Sequence, residues 1–393
     1  MEIKNNHRIV LVTNNLNRYS ANTQMQDVIN WILSQPETIE INIRSIFLSG
    51  GSVVEYLTNF IDASKAELLI FIDGPPLLEL SIFDMKFLRS KIYVAMFFGD
   101  IFAHFQSCYK YYTQAIDCAL VDESVETGRF KLYGVDSIFV PYSYHVNDSI
   151  GDNFAKELPL SFIGRMDRVG RREYLDLAAK HFPISIYGVG TPKGPVTNME
   201  MDKIFRSSII NLNFTGVQFY QPYRYANAID LRVRSAKGRC QEIALRGGFV
   251  LSENAPEIEK LFIPGKEIDV FDNNEEFLEK INFYLKNPDI ANKIADKGKI
   301  RANLNYRIEI VWTKTISDLT QKARIRNLKP HIGTGLERVT FDQELELSIA
   351  REFILVLKGY LKPVDVYKAQ FFLKIIGIKK AFKYLVNYLL GRF

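Results

Sequence analysis

The chain is 393 residues long, 47% hydrophobic and 24% charged, with a formal net charge of +5. That length implies two domains and an appendage rather than one core, and the composition excludes a disordered chain. Residues 364–393 carry six cations against the single Asp365, which accounts for the whole net charge. The neutral remainder argues against a nucleic-acid channel, so no nucleic-acid partner is expected.

Three cysteines, Cys108, Cys118 and Cys240, are an odd number at no metal-ligand spacing, and each is expected to pack as a small hydrophobe. The opening MEIKNNHRIVLVTNN lacks the charged and apolar regions of a signal peptide. No window holds the ~18 uninterrupted apolar residues of a membrane span. A cytoplasmic protein is the expectation.

The first part alternates short apolar runs with helical patterns. His7 to Val12 reads as a strand, Thr23 to Ser34 as an amphipathic helix, Ile39 to Phe47 as a second strand and Val53 to Ile61 as a helix. Ala66 to Ile72 is nearly continuous in apolar residues, the pattern of a strand buried on both faces, and it stops at Asp73-Gly74-Pro75-Pro76. Ile92 to Phe98 repeats the pattern and stops at Gly99-Asp100; further strands are expected at Cys118 to Val121 and Ser137 to Pro141. Strand–helix alternation of this kind builds parallel sheets.

A polar stretch from His145 to Glu157 reads as a linker, after which the alternation restarts. Strands are expected at Leu160 to Ile163, Ile184 to Tyr187, Ile209 to Phe214 and Val270 to Asp272. Helices are expected at Arg171 to His181, Met199 to Ser207, Asn274 to Leu285 and Pro288 to Leu304. The division is 1–150 for a first doubly wound domain, 158–325 for a second, and 326–393 for a linker with a helical tail. The fold class is α/β, with two doubly wound parallel-sheet domains.

The most informative stretch is Lys237 to Glu259, KGRCQEIALRGGFVLSENAPEIE. Two cations, Lys237 and Arg239, precede Glu242 on a short apolar helix. A Gly247-Gly248 break, a strand over Phe249 to Ser252 and a new helix start at Asn254 to Glu257 follow. Cations there could meet a diphosphate and the carboxylate could accept from ribose hydroxyls. An ordinary αβα unit with solvated charges reads the same residues equally well.

The second half, from LSFIGRMDRVGRREYL through ISIYGVG and MDKIFRSSIINLNF to the GRCQEIALRGG block and Tyr306-Arg307, resembles the CgeB-like, group 1 glycosyltransferases. The resemblance covers about residues 158–320 and implies the GT-B fold, with sugar transfer from a nucleotide donor and no bound metal or other cofactor. It places Glu242 on the ribose hydroxyls and Arg239 and Lys237 at the diphosphate. Arg165, Gly188, Gly190, Asn213, Asn254 and Ala255 would line the donor. The sequence departs from the related pattern at Arg234, eight positions before Glu242, where a glutamate near the hexose is common. The segment 215–236 matches nothing in the pattern.

A base for an inverting transfer would come from the first domain. Asp100 and His104 are the candidates, one turn apart and just past a strand end. Their plain alternatives are a helix cap and a packing histidine. Asp73 reads as a turn former, Arg165 equally as a surface residue, and the charges of 168–172 and 297–301 as solvated helix faces.

In the tail, Phe371, Phe372, Ile375, Ile376, Phe382, Leu385, Val386, Leu389 and Leu390 alternate with Lys374, Lys379, Lys380 and Lys383. A basic amphipathic helix suits an anionic membrane surface, and packing on the protein itself suits it as well. The expected function is glycosyl transfer from a nucleotide diphosphate sugar to a hydroxyl acceptor on a glycan, a lipid-linked glycan or a cell-surface polysaccharide. The alternatives are a sugar-nucleotide-binding protein without catalysis, or an epimerase or hydrolase on the same fold.

Overall fold

A computed structural model describes residues 8–14, 24–76, 79–99, 101, 105, 109–146, 154–166, 170–217, 233–326 and 386. The first unit contains β1 (Ile9–Thr13), α1 (Gln24–Leu33), β2 (Thr38–Asn42), α2 (Ile43–Leu48), α3 (Val53–Ser64), β3 (Leu68–Phe71), α4 (Ile82–Lys91) and β4 (Tyr93–Phe98). It continues with α5 (Lys110–Tyr112), β5 (Cys118–Val121), α6 (Glu126–Leu132) and β6 (Asp136–Phe139). Its six strands run parallel in the order β2-β1-β3-β4-β5-β6.

Burial follows the two-residue period of a strand. Leu69 and Phe71 of β3 enter the core covered by α3 and α4. Leu68 and Ile70 enter the core on the opposite face, against Val28, Ile29 and Ile32 of α1. The strand expected over 39–47 ends at Asn42. The Asn42 side chain accepts from the Ser45 N–H at 3.0 Å and caps α2, so residues 43–48 are helical.

The second unit contains β7 (Leu158–Ile163), α7 (Arg171–His181), β8 (Ile184–Tyr187), α8 (Asn198–Ser207), β9 (Ser208–Asn213), β10 (Gly216–Val217), β11 (Val233–Arg234) and α9 (Arg239–Leu245). After these come β12 (Val250–Glu253), α10 (Ile258–Leu261), β13 (Asp269–Phe271), α11 (Asn274–Lys286), α12 (Pro288–Asn305) and α13 (Ile308–Arg324). Five parallel strands lie in the order β13-β12-β9-β7-β8, and β10 and β11 form a separate antiparallel pair. Thr197 and Glu200 close a capping box on α8, and Pro288 starts α12 at a position where its missing N–H costs nothing. The segment 215–236 therefore begins and ends as a two-stranded ribbon, and its middle lies outside the described residues.

The helix α13 crosses back. Ile308, Val311, Trp312 and Leu319 of α13 fill the face of the first sheet also covered by α1. The Trp312 ring sits 6.5 Å from that of Phe97. Residues 308–324, grouped by sequence with the second domain, thus pack as part of the first. The outward and return crossings run side by side. Tyr144 N–H donates to the Tyr306 carbonyl at 3.0 Å and Ile308 N–H donates to the Tyr144 carbonyl at 3.3 Å. No described helix is long and apolar enough to cross a membrane.

Candidate active site

In open parallel sheets ligands sit beyond the carboxyl ends of the strands, where the winding reverses. The second sheet reverses between β7 and β9, and the first between β1 and β3. The two carboxyl edges face each other. Asp122 and Glu123 follow β5 in the first unit, and Lys237, just before α9 in the second, reaches Glu123 Oε1 at 3.0 Å and Asp122 Oδ2 at 4.0 Å. Next to them the Ser124 hydroxyl donates to Glu257, just beyond β12.

The start of α9 gathers most of the charge. Glu242, only 8% exposed, lies between two guanidinium groups: Arg239 pairs with its Oε2, and Arg246 Nη1 is 3.7 Å from its Oε1. Arg246 also pairs with the buried Asp202 of α8 and lies over the Tyr144 ring at 5.9 Å. Arg239 stands over Phe205 at 5.9 Å and its Nη1 contacts Met201 Sδ at 3.4 Å. A carboxylate accepts about four hydrogen bonds, so two cations orient Glu242 without exhausting it. Burial, with the nearby Glu242 charge adding to it, raises the Tyr144 phenol and keeps it neutral.

The close approach of backbone to backbone demands glycine in two places. Gly188, after β8, has φ +129°, and a Cβ there would lie 2.8 Å from the Gly164 carbonyl carbon and nearer still to its oxygen. Gly190 has φ +77° on the exposed rim of the same loop. Arg165 is exposed beside them, and its carbonyl accepts from Arg171 Nη1 at 2.9 Å. Arg171, read from sequence as part of a solvated face, therefore braces the loop after β7 and lies over Phe162 at 5.4 Å.

Asn213 is buried, and its amide donates to Cys240 Sγ at 3.1 Å and Ser252 Oγ at 2.9 Å. It braces β9, β12 and α9 from inside. Burial pushes the Cys240 thiol up to about 11, which makes it a packing residue. Asn254 N–H donates to the Phe271 carbonyl, and Ala255 N–H donates to the Asn254 Oδ1, both at 2.9 Å. The N–H groups of Asn254 and Ala255 are thus engaged within the loop, and the helix expected from 254–257 is α10, preceded by Glu257 at φ +63°. Arg234 pairs with the buried Glu253 at 3.3 Å and with Asp272 at 3.3 Å. Asp100 and His104 lie outside the described residues.

The structure thus pairs Arg239 with Glu242 and turns Lys237 to Asp122 and Glu123, and it adds Tyr142 on Asp122, with Tyr144, Asp202 and Arg246 around Glu242. One signal was available in sequence: Asp122-Glu123 is an acidic strand end of the same kind as Asp73 and Asp100.

Two doubly wound sheets whose carboxyl edges meet through charged side chains, with α13 returning to the first, define the GT-B fold class. Residues 169–316 match the family model described as glycosyl transferase-like. Similar solved structures share the fold across most of the chain. Sucrose-phosphate synthase from Thermosynechococcus elongatus is 11% identical, with a TM-score of 0.55, over 81% of this chain and 99% of that one. A glycosyltransferase from Rickettsia africae is 14% identical, with a TM-score of 0.55, over 81% and 98%. Anabaena HepE, in complex with UDP and glucose, is 10% identical, with a TM-score of 0.54, over 80% and 99%. No curated protein sequence matches significantly.

Proposed function

We propose that the protein transfers a glycosyl group from a nucleotide diphosphate sugar to a hydroxyl of a glycan, a lipid-linked glycan or a cell-surface polysaccharide, within the CgeB-like branch of the group 1 glycosyltransferases. The observation that carries this reading is the Arg239–Glu242 pair at the start of α9, with Lys237 beside it in sequence reaching the carboxyl edge of the other sheet. Similarity to HepE in complex with UDP and glucose supports it.

Glu242, held by Arg239 and Arg246, is suited to accept from two ribose hydroxyls. Arg239 and Lys237 neutralise the departing diphosphate, the main electrostatic task where no metal ion assists. The transfer is metal-independent, and full activity after exhaustive chelation tests that. Asp100 or His104 of the first unit takes the acceptor proton if the transfer inverts. The tail over 364–393 docks on an anionic membrane surface. Its removal then releases the protein from anionic vesicles, and unchanged flotation rejects the docking.

A thermal-shift panel of UDP, GDP, CMP and TDP sugars tests the donor reading, since a ligand at ~100 times its Kd stabilises by ~2.7 kcal/mol. No shift with any of them rejects it. Product analysis with and without acceptor separates transfer from hydrolysis or epimerisation.

A further inference from the structure

The lysine assigned to the diphosphate already has an anionic partner, and that partner belongs to the other unit. Lys237 Nζ lies 3.0 Å from Glu123 Oε1 and 4.0 Å from Asp122 Oδ2. Both carboxylate side chains are nearly enclosed, at 8% and 2% exposure, whereas the lysine side chain keeps 28%. Asp122 is fixed in place, because the Tyr142 hydroxyl donates to its Oδ2 at 2.6 Å. Behind the pair stands Glu126, whose carboxyl is raised by burial, and further by the charges of Glu123 and Asp122 against the opposing pull of Arg129. Among the described residues, Asp122, Glu123 and Glu126 gather around Lys237 and Arg129, three carboxylates to two cations. Two fixed carboxylates and a diphosphate cannot share one lysine without strong like-charge repulsion.

We propose that Asp122 and Glu123 are positioning residues of the donor site, supplied by the first unit: they hold Lys237 where the diphosphate will bind and surrender it when the donor arrives. The inference rests on the donor reading above. Lys237 is the movable member, since it is the long, partly exposed side chain on the loop before α9, while the acids lie just past the end of β5. Donor binding then exchanges an ion pair between the units for one within the second unit. The Ser124–Glu257 contact remains as the neighbouring link between the same two edges.

The sign of the effect separates this from a structural ion pair. Glu123→Gln keeps the shape and removes a competitor, so inorganic pyrophosphate and UDP should bind the full chain about two- to tenfold more tightly, the scale of one partly buried pair. Asp122→Asn should act in the same direction. Lys237→Met should weaken both ligands and abolish the gain from Glu123→Gln in the double variant, the non-additivity of residues in contact. Titration calorimetry on the four proteins reads all of this. Wild-type binding with unchanged or weaker binding to Glu123→Gln overturns the inference and leaves the donor reading standing. Failure of both ligands to bind wild type and Glu123→Gln overturns both.

Discussion

Gly238 and Tyr144 meet with no room for a side chain between them. A Cβ on Gly238 would lie 2.6 Å from Cγ of Tyr142 and closer still to the Tyr144 hydroxyl. The backbone of Gly238 is ordinary, with φ −58°, so the demand for glycine is steric rather than conformational. Tyr142 and Tyr144 come from the outward crossing between the units, and Gly238 separates Lys237 from Arg239. Gly238→Ala should therefore push the crossing off the donor loop. Overpacking of this kind costs ~1–3 kcal/mol, and nucleotide affinity should fall with stability. Thermal unfolding with and without UDP measures both; a variant with wild-type values would show that the contact is slack.

Glu242 and Arg246 touch, yet their loss should read differently. Glu242→Gln keeps the volume but removes the charge from the expected ribose site, costing ~1.5–3 kcal/mol of donor binding, about ten- to 150-fold in Kd. Arg246→Ala strands the buried Asp202 and frees one side of Glu242. Breaking a buried pair from one side costs ~3–5 kcal/mol of stability. Calorimetric Kd values and urea midpoints on the two variants resolve the division. Equal effects on both quantities in both variants would contradict it.

Gly188→Ala tests the loop that approaches the donor side from β7 and β8. The substitution combines a φ of +129°, which alanine disfavours, with a collision against the Gly164 backbone. Strained backbone alone costs ~1–3 kcal/mol, and two rigid main-chain segments cannot yield as a side chain would. Gly190→Ala, at φ +77° with nothing within 4 Å of its Cβ, carries only the strain. Unfolding midpoints should rank wild type above Gly190→Ala and that above Gly188→Ala.

Much of this architecture is legible because parallel strands advertise themselves. β5, α7 and β8 fall on their expected residues, and β3 lies within a nearly continuous apolar run that only double burial explains. α2 was missed because Ile43 to Phe47 suits either a strand or a helix, and one cap from Asn42 decides between them. The apolar face of α13 announces burial but not which core receives it, since Trp312 could fill either. Within the site, Glu242, Arg239 and Lys237 were recognisable as one local stretch. Asp202, 44 positions before Arg246, and Glu123, 114 before Lys237, become partners only through the fold. Asn213, which the resemblance places along the donor, ends β9 with its buried amide on Cys240 and Ser252, contacts that no local pattern announces.

The return of α13 makes the first unit dependent on residues distant in sequence. Trp312 is 1% exposed and shares its core with Phe97, Val28 and Ile32. Trp312→Ala should cost ~3–5 kcal/mol by opening a cavity. Ending the chain before Ile308 should leave the α1 face of the first sheet uncovered and the product prone to aggregate. Denaturant unfolding of the substitution, and the soluble yield of the truncation, check the two outcomes. A soluble, stable truncation would show that α1 alone suffices.

Glu257 supplies a pH-dependent link between the units. Burial works to raise its carboxyl, but the Lys260 ammonium and the Ser124 hydroxyl outweigh that and hold it below the ordinary 4.5. The folded protein therefore releases this proton more readily than the unfolded chain, and stability contributed by the group rises with pH. The contribution is complete above 4.5 and is lost as pH falls through the depressed value. Ser124 follows β5 while Glu257 follows β12, so the loss is felt between the units. Glu257→Gln should unfold earlier than wild type at pH ~6.5 and converge with it once the pH has fallen below the depressed value, where both side chains are neutral. Ser124→Ala should narrow the same gap from the other side. Parallel Tm–pH curves for wild type and Glu257→Gln would show that this carboxylate contributes nothing through its charge.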